Sequence, residues 1–400
     1  MNKVFSMTPR ATAVFLVLAV GCSSSDELPP EQRSEIVVRG DTTFVTIPAE
    51  WSPPTANAKV EVVLQGDELW RPTGIARAGN RVVVADQVQL HVLEDDGSLV
   101  ATTGGFGDAP GEFGNIMAIG SLGDTTMVLD YRLRRLSFHD LNGDHLANAR
   151  VLPVAPFVNP RPGDWDLQPY NGGVLYLSVE NPHINRPTRA AIVWADFSGD
   201  SLEAVRAWAH IDWMHANGTV MPKQLFGPRA HISLGSDGLY GFGDGVEYCF
   251  MLERIGDSAA RKVCREWERV AVSQEVRDPE LTVFEYVDES VQRDFTNELE
   301  QMEVGERWVS YDRLMLDELD RAWVRRIGSE QAVSHPHLWE LAPQLRPESF
   351  AWDVYSWNGD LLRTVVFPSG FEPQLLEEGQ AFGLWRLPGG EITVGKATWK

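Results

Sequence analysis

Cysteine is scarce: Cys22, Cys249 and Cys264 are the three present in 400 residues. Three thiols cannot build a disulfide framework, so the fold must rest on a buried core. Positive charge is also short, with 35 Lys and Arg against 57 Asp and Glu and a net charge of −22. A DNA or RNA binder needs a basic footprint, which excludes nucleic acid as a partner. After Val20 no segment reaches the roughly 18 apolar residues that span a bilayer as a helix. No Gly-x-Ser-x-Gly elbow, phosphate loop, zinc-protease helix or paired CxxC motif occurs. What the chain does have is a globular composition, 43% hydrophobic and 23% charged, sufficient for a large core.

Residues 1–21 read as a signal peptide, with Lys3 and Arg10 ahead of the apolar run Ala11 to Val20. The run ends in Ala19-Val20-Gly21-Cys22, which resembles the bacterial lipobox. That resemblance implies lipidation of Cys22, and Ser23 after it implies the outer membrane. Several acyl chains give stable anchoring. Residues 22–35, rich in Ser, Pro and Glu, read as a flexible tether. Loss of Lys3 and Arg10 takes the net charge from −22 to −24, so lipid rather than charge would hold the chain at a membrane.

From about residue 36 the pattern changes to short β runs that recur. Ile36 to Arg39 and Thr42 to Ile47 suit a hairpin around Gly40-Asp41. One unit then reads Gly74-Ile75-Ala76, Val82 to Asp86, Leu90 to Leu93, Asp95-Asp96-Gly97 and Leu99 to Thr102. The next repeats it with Ile116 to Ile119, Thr126 to Asp130, Arg135 to Phe138 and Leu141-Asn142-Gly143-Asp144. Later units centre on Val174 to Leu177, Leu239 to Phe242, Ala322 to Arg325 and Ala381 to Trp385. A four-stranded unit cannot bury both faces alone and must stack on its neighbours around an axis. The expected fold is therefore all-β, a six-bladed β-propeller over residues 36–400. The last unit is one strand short, and either 42–47 or 59–64 could supply it and close the ring.

Arg71-Pro72-Thr73-Gly74-Ile75-Ala76, Val82-Val83-Val84-Ala85-Asp86 and Gly104-Gly105-Phe106-Gly107-Asp108-Ala109-Pro110-Gly111-Glu112-Phe113 resemble an NHL repeat and its connector. The chain is thus similar to bacterial six-bladed propeller lipoproteins of the NHL-like group. The resemblance implies the fold; the group has no common activity.

Residues 273–306 break the β pattern between the fourth and fifth units. Phe284, Val287, Val291, Phe295, Leu299 and Met302 recur at helical spacing, and Thr282 with Glu285 resembles a capping box. A helical insertion is expected there, either packed on the propeller or acting as a lid or docking helix. Cys249 and Cys264 lie on two β runs placed symmetrically about Ile255-Gly256-Asp257-Ser258, so a simple hairpin makes them cross-strand neighbours able to form a disulfide.

The repeat also aligns Asp86, Asp130, Glu180, Asp244 and Arg325 near the ends of second strands, with Arg71, Arg132 and His183 on adjoining loops. Such a ring at a channel mouth could hold a polar ligand or a divalent cation. Alternatively, each carboxylate caps its neighbouring turn. His335-Pro336-His337 suits a polar loop, and most of the fourteen tryptophans suit packing between blades. The expectation is a lipid-anchored, non-enzymatic module of the bacterial envelope that binds a protein, peptide or glycan without a cofactor. The alternative is a metal-dependent hydrolase or lyase at the channel mouth, using Asp86, Asp130, Glu180 and Asp244.

Overall fold

The computed structural model describes residues 34–130, 132–150, 157–160, 166–180, 188–198, 201–211, 213–216, 219–222, 224–225, 230–273, 303–332, 346–387 and 389–400. Among the described residues, the regular elements of the unit Ser34–Lys400 are strands, apart from two single 3-10 turns. Its building block is a four-stranded antiparallel meander. The first is Pro72–Ala78, Arg81–Asp86, Gln89–Leu93 and Leu99–Gly104. The second is Ile116–Leu122, Thr125–Asp130, Arg135–His139 and His145–Arg150.

Later sheets keep this plan and add to it. The third runs Asp166–Tyr170, Gly173–Glu180, Thr188–Asp196, Leu202–Ile211, and its first strand pairs in parallel with Ile116–Leu122. The fourth runs His231–Leu234, Leu239–Gly243, Cys249–Arg254, Ala260–Arg265. The expected N-terminal hairpin, Glu35–Arg39 with Thr42–Ile47, forms and adds itself in parallel to the outer edge of this sheet. The fifth runs Tyr311–Leu316, Ala322–Arg326, Ser349–Tyr355, Leu361–Pro368, with Thr55–Asn57 outside it. In the sixth, Phe371–Leu376, Gln380–Arg386 and Ile392–Thr398 are completed by Lys59–Leu64. Of the two segments able to supply the missing strand, 59–64 does so.

First strands of successive sheets touch one another: first with second, second with third, third with fourth, fourth with fifth, and sixth with first. Ion pairs from Arg313 and Arg325 to Glu372 join the fifth sheet to the sixth. Apolar clusters fill the spaces between neighbouring sheets. Val83, Ala85, Leu90 and Val92 of the first sheet pack on Phe113, Ile116, Ile119 and Val128, while its Ile75, Val82, Val84 and Leu93 pack on Leu64, Phe382 and Val394. Each sheet is thus covered on both faces, so Val82-Val83-Val84-Ala85 is an unbroken apolar run rather than an alternating one. The arrangement is all-β and propeller-like. Tryptophans follow the packing expectation where Trp308, Trp323, Trp352 and Trp399 fill the space between the fifth and sixth sheets.

Close approach of strands makes particular demands. A Cβ on Gly120 would come within 1.8 Å of the Leu167 carbonyl oxygen, where the second and third sheets pair, so only glycine fits. Cys249 and Cys264 are direct cross-strand partners with Cα atoms 4.1 Å apart, and they form a disulfide.

The expected helical insertion at 273–306 falls mostly outside the described residues, as do the signal peptide, Cys22 and the tether up to residue 33. At its C-terminal end the expectation is corrected: Glu303–Val304 is a strand paired with Gln224–Leu225. Flanking it, Val272 donates its N–H to the Glu306 carbonyl and Trp308 to that of Val270, so the ends of the insertion meet in an antiparallel bridge. Backbone pairing across the stem outweighs the helical spacing of the side chains there.

Candidate functional site

An antiparallel meander places its first and third turns at one end of the sheet, and its middle turn, with the connection to the next sheet, at the other. The first end carries short Asx-type turns closed by their own side chains. Asp140 accepts the N–H groups of Asn142 and Asp144, Asp317 those of Leu319 and Arg321, and Asp96 that of Ser98. The opposite end carries connections of unequal length, from the two residues Gln87-Val88 to the stretches 212–230, 266–310 and 327–348. Variation in connections on a constant scaffold is where binding surfaces are built.

The sequence-aligned polar residues lie toward this variable end, in two different situations. Asp86 is 2% exposed, and its carboxylate accepts the N–H groups of Trp70, at 2.7 Å, and Arg71. His91 Nε2 is 3.5 Å away. Burial opposes ionisation of Asp86, but the His91 side chain and the two amides outweigh it and hold the carboxyl below its usual range. Asp130 repeats the device one sheet later, fully buried and accepting the N–H groups of Gly114 at 2.6 Å, Asn115 at 3.3 Å and Leu133 at 2.9 Å. In both sheets the captured amides lie sixteen and fifteen residues upstream, so this is a periodic clasp between the start of the first strand and the end of the second.

Arg325 is equally occupied. It makes two hydrogen bonds to Asp312 at 2.7 and 2.8 Å, reaches Glu372, and lies 4.7 Å over the Phe350 ring. Desolvation works against its charge, and Asp312 and Glu372 more than offset it, raising the pKa.

Arg71, Arg132 and Asp244 are exposed. Asp244 accepts the N–H of Val246, and the Arg132 guanidinium stacks 4.6 Å over the ring of Phe106. Glu180 ends its strand at this side, and His183 lies outside the described residues, as do His335 and His337. Among the described side chains, Asp86, Asp130 and Arg325 serve the scaffold, and Arg71, Arg132 and Asp244 stand exposed on separate connections.

Sequence reasoning passed over two neighbours of these residues. Trp70 is 76% exposed and Phe106 67%, both at the variable end. Their repeat context gave a signal, since Trp70 precedes the clasped amide of Arg71 and Phe106 sits inside the Gly-rich connector. Another buried centre was also unremarked. Asp353 accepts hydrogen bonds from Tyr248 and Thr364 hydroxyls at 2.7 and 2.6 Å and pairs with Arg265 and Arg326. Among the described residues no group of three or more His, Cys, Asp or Glu side chains is placed to hold a metal ion.

No protein-family model matches the chain, and no curated protein matches it. Solved structures similar to it include a member of the DUF4221 family from Bacteroides vulgatus, with a TM-score of 0.45 and 8% identity over 86% of this chain and 98% of that one. A gluconolactonase from Xanthomonas campestris is similar with a TM-score of 0.44 and 11% identity, covering 88% and 97% of the two chains. A streptogramin B lyase is similar with a TM-score of 0.41 and 10% identity, covering 86% and 98%. Likenesses this distant carry no argument about what the chain binds or does.

Proposed function

We propose that the chain is a six-bladed β-propeller that binds a peptide or glycan across its variable end, as a non-enzymatic module held at the bacterial envelope by lipid on Cys22. One observation carries the reading. The carboxylates that a metal-dependent hydrolase or lyase would need, Asp86 and Asp130, spend their oxygens on backbone amides, while Trp70, Arg71, Phe106 with Arg132, and Asp244 stand exposed at the same end. Exposed aromatic rings give stacking area, and the guanidinium groups add orientation for acidic or hydroxyl-rich ligands. The site is a surface on a rigid support rather than a buried reaction centre.

Arrayed peptides and envelope glycans test the reading, with the double variant Trp70→Ala, Arg132→Ala as comparator. Binding to the native chain that falls at least tenfold in the variant supports it. Binding that survives the double variant refutes the surface. Binding abolished by a chelator and restored by a divalent cation transfers support to the metal-dependent enzyme.

A further inference from the structure

Three polar side chains form a row across the second sheet. Thr126 lies opposite His139, and His139 opposite His145, on three adjacent antiparallel strands. Directly opposed residues project from the same face, so the three share one side of the sheet. Thr126 and His139 are each 1% exposed. Thr126 Oγ1, His139 Nε2 and His145 Nε2 are all buried and all lack a protein hydrogen-bond partner. Orphaned polar atoms are uncommon in folded proteins, and three in register point to a shared ligand.

The chemistry of the row narrows that ligand. His139 Nδ1 is 3.1 Å from the Gly143 carbonyl oxygen, which can only accept, so Nδ1 carries the proton and Nε2 presents its lone pair. A ring nitrogen tied to a backbone carbonyl, with the other left free, is how metal-ligating histidines are oriented. The two imidazoles are neighbours, with centroids 5.6 Å apart and planes 79° to each other. Phe113 packs on His139 with ring centres 5.4 Å apart and closes the site with an apolar wall.

The row holds no carboxylate, and among the described residues none completes a metal-holding group with the two histidines. The nearby Asp140 carboxylate turns its Oδ1 to the amides of Asn142 and Asp144. A buried divalent ion would keep two charges uncompensated, whereas a singly charged ion content with two ligands would not. We propose that His139 and His145 form a buried copper(I) site, two-coordinate through their Nε2 atoms, in the seam between the first and second sheets. Thr126 shapes the site without being required as a ligand. The proposal is independent of the ligand surface at the variable end, since the His139–Gly143 contact belongs to the end with short turns.

The test uses the full chain carrying Cys22→Ser, which removes the one cysteine outside the disulfide. Copper(I) is supplied anaerobically as its acetonitrile complex against a chromogenic chelator. One ion per chain is expected, with X-ray absorption reporting two nitrogen ligands. His139→Phe and His145→Phe should each weaken uptake at least a hundredfold, and Thr126→Val should leave the stoichiometry unchanged. If His139→Phe fails to fold, the half-buried His145→Phe alone decides. No uptake above that of the double histidine variant overturns the proposal. Tighter binding of zinc(II) at the same residues overturns it too, and so does a crystal structure of the copper-treated chain showing only water in the row.

Discussion

Replacing Asp353 with alanine tests the claim that buried charge organises the contact between the fourth and fifth sheets. Asp353 is fully buried and is approached by four donors: Tyr248, Thr364, Arg265 and Arg326. Arg326 is about a quarter exposed and can turn to water, but the Arg265 side chain is only 5% exposed. In Asp353→Ala it would keep one protein hydrogen bond, to the Trp51 carbonyl at 3.3 Å, and its charge would be uncompensated. Removing one partner of a buried pair costs about 3–5 kcal/mol. With an unfolding entropy of about 2.1 cal/mol/K per residue over Ser34–Lys400, that corresponds to a fall in Tm of about 4–6 °C. Scanning calorimetry and urea denaturation would both read it. The double variant Asp353→Leu, Arg265→Met removes both charges while keeping volume, and should regain most of the loss, because desolvation of the pair offsets much of its attraction. A loss below about 1 kcal/mol in the single variant, or no recovery in the double, would refute the reasoning.

Other expectations follow from the same geometry. Asp130→Ala strands three amides, one buried and two part-buried, and should destabilise the chain by about 3 kcal/mol in urea denaturation, with hydrogen exchange accelerated first at Gly114, Asn115 and Leu133. Asp86 has a depressed folded pKa, so its contribution is present above the unfolded value of about 3.9 and disappears as pH falls through the folded value. Melting curves of the native chain and Asp86→Asn should therefore differ at pH 7 and converge in strong acid; a constant difference would contradict the clasp. The disulfide spans a separation of 15 residues, and replacing Cys249 and Cys264 by serine should cost about 3 kcal/mol. Gly120→Ala should reduce soluble yield and Tm sharply, since the new Cβ meets backbone rather than a movable side chain.

Much of this architecture was legible in the repeat. Val82 to Asp86 and Thr126 to Asp130 announced second strands because they are apolar without alternation, the mark of strands covered on both faces. The cysteine register could be read because a two-strand hairpin leaves little choice of pairing once its turn is located. First strands were harder. Tyr311–Leu316 mixes Asp312 and Arg313 into its run, and Phe371–Leu376 contains Pro373. Those polar residues are part-buried and paired, Asp312 with Arg325 on the next strand and Arg313 with Glu372 of the sixth sheet, and such compensation leaves no local pattern.

The aligned residues show the same division. The chain by itself determined a repeating four-stranded unit, its Asx-closed turns and the recurrence of a carboxylate at the end of the second strand, because these depend on contacts a few residues to one repeat apart. It also determined the acidic charge and the single disulfide. Tertiary structure decided what the carboxylates do. Asp86 and Asp130 face inward to backbone amides, Asp244 faces solvent, and Thr126, His139 and His145 line up only because three strands pair in one register. Whether a polar residue is a clasp, a surface or a metal ligand depends on which donors and acceptors arrive from elsewhere in the chain, and folding alone brings them together.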